Sequence, residues 1–422
     1  MNNHDLLVSL DIGTSKVRVI IGEVHNGSIN IIGVGTAESQ GINKGAIVDI
    51  DQTVLAIREA VDQAERMVDV TIQDVFVGIS GNHIELVMSQ GVVAVSSENK
   101  EIGEEDIYRV TEAAKVISIP PEKEIIDVVP IEYIIDGLSG VSDPRGMIGI
   151  RLEMEGTIIT GSKTIIHNLY RCVERAGLKI AGFYLQSLAA SDIALSKDEK
   201  NLGVVLIDMG AGSTTVSIFE QGTLAGIRSI PIGGDYITSD IAYALRTSTE
   251  EARRLQMKYG CGMIEQASPS ESFKVKRIGS NSDLECSQID LAHVIEPRVA
   301  EIFEMIQAEV IDLGYHGEIP AGYVLTGGVA AMPGVVELAR EELQAPARVA
   351  MPDYIGVRDP AFTTGVGLIK YASRHTAPRE PMVIEKEAVL VSSKPAVKSQ
   401  TKSRNKSEGM IDRVKNWFSE FI

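Results

Sequence analysis

Two short stretches of this 422-residue chain set an aspartate beside residue types suited to cradling a phosphate: Leu10-Asp11-Ile12-Gly13-Thr14-Ser15-Lys16 and Asp208-Met209-Gly210-Ala211-Gly212-Ser213-Thr214. In each, an apolar run ends in the carboxylate and turns through glycine. Glycine lets the backbone approach a phosphate closely, and successive N–H groups then form an anion-binding concavity. Thr14, Ser15, Ser213 and Thr214 add hydroxyls, and Lys16 adds a cation. A single loop of this kind is also what a plain hairpin turn looks like. The second copy favours a clamp that grips a polyphosphate from both sides. Asp11 and Asp208 would then hold Mg²⁺ through water, because that ion keeps several waters and takes few carboxylates. Neither a GxxxxGK[ST] loop nor a GxGxxG turn opening a helix occurs, so the common alternative phosphate motifs are missing.

The elements that carry these loops are themselves repeated. LLVSLDIGTSKVRVIIGEVHNGSINIIGVG near the start is matched by GVVLIDMGAGSTTVSIFEQGTLAGIRSIPIGG much later. Each reads as three consecutive antiparallel strands, with turns at Asn26-Gly27 and Gln221-Gly222. Two copies of one unit predict two similar domains facing each other. Apolar spacing predicts helices over Thr53–Val68, Ile165–Ala176 and Gln186–Leu195. The stretch from about His83 to Lys163 breaks the scheme with a helix (Glu104–Val116), a Pro120-Pro121 break and strand-like IIDVVPIEYII, and reads as an inserted small domain. A second insertion, about Asp235–Val294, reads as a helical run followed by a polar, Ser-rich loop. Further on, Val324-Leu325-Thr326-Gly327-Gly328-Val329 is a strand entering a paired-glycine turn, followed by Met332-Pro333-Gly334.

The bulk properties bound what such a protein does. With 44% hydrophobic and 23% charged residues it reads as globular, and its length implies more than one domain. No run of 18 or more apolar residues is present, and MNNHDLLVSLDIG does not read as a secretory signal. Cys172, Cys261 and Cys286 are odd in number and far apart, which speaks against a disulfide framework or a zinc site and suits a reducing cytoplasm. A formal charge of −18 speaks against nucleic-acid binding.

The two loops with the glycine pair resemble the actin, sugar-kinase and heat-shock-type chaperone superfamily. That resemblance implies an α/β, ribonuclease-H-like two-lobed fold and ATP as cofactor, with Gly327, Gly328 and Val329 against the nucleotide. Sugar kinases on this fold use a carboxylate where this chain has Gln186. An amide cannot accept the attacking proton but can orient a water, which favours slow hydrolysis or a nucleotide switch over transfer to a sugar. A kinase or phosphatase on the same fold is the alternative reading.

More narrowly, the chain resembles the FtsA family of bacterial actin-like division proteins through SLDIGTSKV, KGAIVDID, IDMGAGST, PIGGDYITSDIAYAL, STEEARRLQMKYG, VIEPR, VLTGG and TTGVGLIKYA. The resemblance implies a first core domain over 1–83, completed by about 163–198 and 361–375, with a family-specific insertion at 84–162. It implies a second core domain over 199–232 and 298–360, with a second inserted subdomain at 233–297. It implies that Glu251, Arg254 and Lys258, on one face of a helix at i, i+3 and i+7, reach ribose and adenine, and that Gly233 and Gly234 pass close to the nucleotide. Ala211 stands where many relatives have glycine, so phosphate contact there requires φ to stay negative. The partners implied are FtsZ, through its C-terminal peptide on the second insertion with Arg298 at the edge, other copies of the chain in a polymer, and later division proteins. The location implied is the cytoplasmic side of the cell membrane at the septum.

The tail has its own pattern. Residues 376–408 are rich in Pro, Ser, Lys and Glu and read as a disordered linker with a reach of roughly 30 Å. Ordered as a helix, 409–422 would gather Met410, Ile411, Val414, Trp417, Phe418 and Phe421 on one stripe, opposite a polar face. The protein's single Trp is among them. A basic run precedes it (Lys394, Lys398, Lys402, Arg404, Lys406), so the segment reads as an amphipathic tether for anionic lipid.

Overall fold

The structure, a computed structural model, describes residues 6–25, 28–81, 83–280 and 282–375, all within one compact unit. The Asn26-Gly27 turn, the 376–408 linker and the 409–422 helix lie outside the described residues.

Strands β1 (Leu6–Ile12), β2 (Lys16–His25) and β3 (Ser28–Glu38) form an antiparallel meander. A small hairpin, β4 (Ile42–Asn43) and β5 (Ala46–Ile47), leads into helix α1 (Ile50–Val68). This helix begins earlier than Thr53 because the Asp49 carboxylate accepts from the Gln52 amide at 3.0 Å and caps the first turn. Its Val54, Ile57, Val61 and Ala64 are buried, as the spacing predicts. Strand β6 (Asp74–Ile79) then joins β1 in parallel.

The chain next makes a separate four-stranded sheet, ordered β7-β10-β8-β9, with one helix on it. Its elements are β7 (Glu85–Ala94), α2 (Glu104–Ala114), β8 (Lys123–Ile135), β9 (Leu138–Val141) and β10 (Arg151–Ser162). Val95, Ile102, Val110, Leu152, Met154 and Ile158 give this sheet a core of its own. Helix α3 (Lys163–Ala176) and strand β11 (Lys179–Leu185) return to the first sheet, completing the order β11-β6-β1-β2-β3. Helices α4 (Gln186–Ala194) and α5 (Lys197–Leu202) carry the chain onward.

The second meander, β12 (Val204–Met209), β13 (Thr214–Glu220) and β14 (Thr223–Ile230), repeats the first strand for strand. Alternate residues of β12 serve two cores. Val204 and Leu206 join the core of the first sheet, while Val205, Ile207 and Met209 join that of the second. Helices α6 (Gly234–Leu245) and α7 (Thr249–Tyr259) follow, then β15 (Ser272–Val275), β16 (Leu284–Ser287) and the long α8 (Gln288–Asp312). The Ser-rich stretch therefore holds a hairpin that its polar composition hides, since each strand has only four residues. Finally β17 (Tyr323–Thr326), α9 (Val335–Glu342) and β18 (Ala347–Val349) complete the order β14-β13-β12-β17-β18, and α10 (Thr363–His375) packs back against β1, β2 and β6. Among the described residues no helix is long and apolar enough to cross a membrane.

Candidate nucleotide site

The ends of β1 and β12 open on a shared cavity of about 470 Å³, a volume suited to a small organic ligand. Asp11, Gly13, Thr14, Ser15 and Lys16 line it from one side, and Asp208, Gly210, Ala211, Gly212 and Ser213 from the other. Each turn closes in the same way, with Gly13 N–H donating to the Lys16 carbonyl at 3.0 Å and Gly210 N–H donating to that of Ser213 at 3.0 Å. The loops meet closely enough that a Cβ on Gly212 would fall 2.5 Å from Thr14 Oγ1. Ala211 is not among the described residues with positive φ, so its methyl is accommodated without strain while the residue lines the cavity.

Gly327, Gly328 and Val329 form the floor beyond β17. Gly327 has φ +89°, and a Cβ there would sit 2.4 Å from an Asp208 oxygen, so the turn demands glycine twice over. A Cβ on Gly328 would meet nothing within 4 Å.

The two carboxylates are held differently. Asp11 is buried (6% exposed) and accepts from the Gln186 side-chain amide at 2.8 Å. Asp208 accepts from the Thr364 hydroxyl at 3.4 Å. Burial raises the pKa of both. For Asp208 the neighbouring Asp11 charge adds to burial and pushes it up to about 6. Arg18 works the other way on both groups. Arg18 stands directly across the β1–β2 ladder from Asp11, and its guanidinium lies 5.3 Å from the centre of the Phe362 ring. Its Nε is buried with no hydrogen-bond partner among the described residues. Nothing in the loop motif singles out Arg18. Only strand alternation, which sends residue 18 to the same side as residue 16, could have found it. Lys16 itself is paired with Glu38.

Two carboxylates facing one cavity, Asp11 buried and Asp208 half-buried, with one arginine acting on both, form an oxygen-donor site of excess negative charge. Among the described residues no group of three or more His, Cys, Asp or Glu is placed to hold a metal ion. The donor set therefore fits an ion that takes few protein carboxylates and keeps its waters, as Mg²⁺ does, rather than a fully protein-caged metal.

Several predicted residues lie elsewhere. Glu251 and Arg254 face away from the cavity and pair with each other at 2.6 Å, beside Lys276 and Arg277 on the outer side of α7. Lys258 lies 4.8 Å over the Tyr259 ring and does not line the cavity. The face of α7 that does line it is Arg253, Gln256 and Met257, continued by Gly260, at i, i+3, i+4 and i+7. Ala252 and Leu255 are the buried residues of this helix. With that stripe turned inward, one polar flank points to the cavity and the other to solvent. Sequence spacing identifies both flanks and cannot choose between them.

Thr214 is fully buried, its hydroxyl donating to the Ile232 carbonyl at 2.9 Å, and supports the second loop from behind. Gly233 also stands behind it, where a Cβ would fall 2.4 Å from the Gly210 carbonyl oxygen, while Gly234 lines the cavity. Arg298 is engaged inside the fold, donating to Asp240 at 2.6 and 3.1 Å and pairing with Glu301.

Duplicated three-strand units, each ending in an aspartate and a glycine turn around one cleft, define an actin-like protein. Solved structures agree. The chain is similar to the PilM-PilN type IV pilus biogenesis complex (TM-score 0.59, 15% identity, covering 86% of this chain and 97% of that one). It is also similar to MreB5 of Spiroplasma citri bound to ADP (TM-score 0.53, 13% identity, 88% and 97%) and to the MamK double helical filament (0.51, 12%, 87% and 98%). Sequence comparison is more specific. A model described as "Cell division protein FtsA" matches residues 205–367, and one described as "SHS2 domain inserted in FTSA" matches 81–160. The chain is 56% identical to the cell division protein FtsA of Bacillus subtilis (strain 168) over 375 residues, covering 89% of this chain and 85% of that protein. It is 34% identical to that of Escherichia coli (strain K12), covering 87% and 90%. The chain belongs to the FtsA family of cell division proteins.

Proposed function

We propose that this chain binds ATP with Mg²⁺ in the cleft, polymerises on the cytoplasmic face of the membrane at the septum, anchors FtsZ filaments there and helps recruit later division proteins. The observation that carries the reading is the convergence of Asp11, Asp208 and their two glycine loops on one cavity. The structures of Spiroplasma citri MreB5 with ADP and with AMPPNP support the nucleotide, and the filament form of MamK supports self-assembly. Asp11 and Asp208 would hold the ion through water, where it would offset phosphate charge. Gln186, fixed to Asp11 by its amide, stands where it can orient a water for slow hydrolysis. The inserted domains keep the roles expected of them. Residues 84–162 form the family-specific module and 233–297 the docking site for the FtsZ peptide, with Arg298 at its edge. The 409–422 helix tethers the chain to anionic lipid, and multivalency in the polymer strengthens a modest single contact.

Two measurements test this. Titration of ATP with and without Mg²⁺ should show Mg²⁺-dependent binding that Asp208→Asn weakens at least about a hundredfold; a wild type that binds no ATP would defeat the nucleotide reading, and a variant that binds as tightly as wild type would remove Asp208 from the site. Co-sedimentation with anionic vesicles should be lost on removal of residues 409–422, and binding that survives truncation sinks the tether.

A further inference from the structure

Among the described residues the chain passes between the two five-stranded sheets twice, outward through α4 and α5 and back through the segment between β18 and α10. Two side-chain bridges across the cleft end on the first turn of α6. At the first, Arg253 donates to Ser15 Oγ of the first phosphate loop at 3.0 Å and to Asp235 Oδ1 at 2.8 Å. One guanidinium thus ties the loop to α6. At the second, the β4–β5 hairpin reaches over from the first side. Its tip residue Lys44 has φ 50° and donates to the Tyr236 hydroxyl at 2.9 Å, with its ammonium 5.3 Å from the ring centre. The same hairpin touches the phosphate loop, since Gly45 N–H donates to Thr14 Oγ1 at 3.3 Å.

We propose that these two bridges, Ser15–Arg253–Asp235 and Lys44–Tyr236, form a clasp that closes the cleft over bound nucleotide and sets how fast it leaves. The proposal rests on the reading that the cleft binds ATP. Thr14 and Ser15 both belong to the loop that would take phosphate, and each is hydrogen-bonded to a component of the clasp. A phosphate drawing that loop inward acts on both bridges at once. The two bridges differ in kind. Arg253 lines the cavity and would touch the ligand, whereas Lys44 and Tyr236 do not line it. The second bridge therefore acts on release by holding the two sides together and not by contacting the ligand. A guanidinium that spans a hydroxyl and a carboxylate is worth more than a solvent-exposed lysine–phenol contact, so the first bridge is the stronger. Tyr236 also lies 5.8 Å beneath Arg298, which places the far end of the clasp against the Asp240 and Glu301 pairs.

The test is stopped-flow release of a fluorescent N-methylanthraniloyl ATP, preloaded with Mg²⁺ and chased with excess ATP. Arg253→Ala should speed release about tenfold, and Lys44→Ala or Tyr236→Phe about two- to threefold. Arg253→Lys, a single donor in place of a fork, should fall between Arg253→Ala and wild type. Lys44→Ala combined with Tyr236→Phe should release no faster than the faster single variant, because the two residues make one contact. Unchanged thermal midpoints of the nucleotide-free Lys44 and Tyr236 variants would separate a clasp from general destabilisation. A wild type that binds no probe defeats the ATP reading itself. A wild type that binds, with Arg253→Ala, Lys44→Ala and Tyr236→Phe all releasing at its rate, defeats the clasp alone.

Discussion

The two aspartate–glycine loops share a design and differ in charge. Across the first hairpin, Asp11 stands opposite Arg18; at the matching place in the second, Asp208 stands opposite Thr215. The first copy thus carries its own cation, and the second has only a hydroxyl from α10 and the more distant Arg18. Asp208 is consequently pushed toward the neutral form both by burial and by its twin. A duplicated backbone has been given an uneven charge, and the site is electrostatically complete only when the halves meet. On the proposed function, the neutralising partner missing at the second copy would come from the ligand and its metal.

The sharpest way to break the comparison is at Asp208. A carboxylate whose pKa rises from 3.8 to about 6 on folding contributes stability that is full below about 4 and is lost as pH climbs through 6. Asp208→Asn should remove that loss. Nucleotide-free protein should then be more stable at pH 7.5, by up to about 3 kcal/mol from the size of the shift. Mg²⁺-dependent ATP binding should fall at least about a hundredfold. Urea denaturation at pH 4.5 and 7.5, with and without Mg-ATP, reads both effects. A variant less stable than wild type at pH 7.5 would show that the strain is not there.

Of similar scale is the glycine pair beneath Asp208. Gly327→Ala sets a methyl against an Asp208 oxygen at positive φ and should cost about 2–4 kcal/mol in denaturation. Gly328→Ala, at φ −64° with open space around it, should cost less than about 1 kcal/mol. Equal costs at the two positions would refute the packing described.

Moving the cation is subtler. Thr215→Arg would give the second copy what the first has and should lower the Asp208 titration midpoint by about one unit, while Arg18→Ala should raise it by a similar amount. Carboxyl-resolved NMR titration measures both, and two midpoints that stay put would show that the asymmetry of the hairpins has no electrostatic consequence. The smallest effect belongs to the outer flank of α7. Glu251→Ala and Lys258→Ala should change ATP affinity by less than about twofold, in contrast to Arg253 on the inner flank. A tenfold loss at Lys258 in an equilibrium titration would restore the outer flank to the site.

The sequence alone determined the parts whose cause is local. Strand alternation, turn glycines and helix spacing follow from short-range sterics and hydrogen bonding, so both meanders, the α1, α3 and α4 helices and the two aspartate loops were legible from residue order. The start of α1 was missed because an aspartate cap adds a turn, and the β15–β16 hairpin because four-residue strands leave no period to read. Only the tertiary structure decided which distant groups meet. Asp11 and Asp208 come together, Arg18 acts on both, α7 offers Arg253 instead of Arg254, and Lys44 crosses to Tyr236. These choices depend on how buried stripes such as Ala252 and Leu255 dock, and a rotation of one helix by a third of a turn exchanges the residues that face a ligand. A pattern along the chain fixes which residues share a face, and packing between elements fixes what that face looks upon.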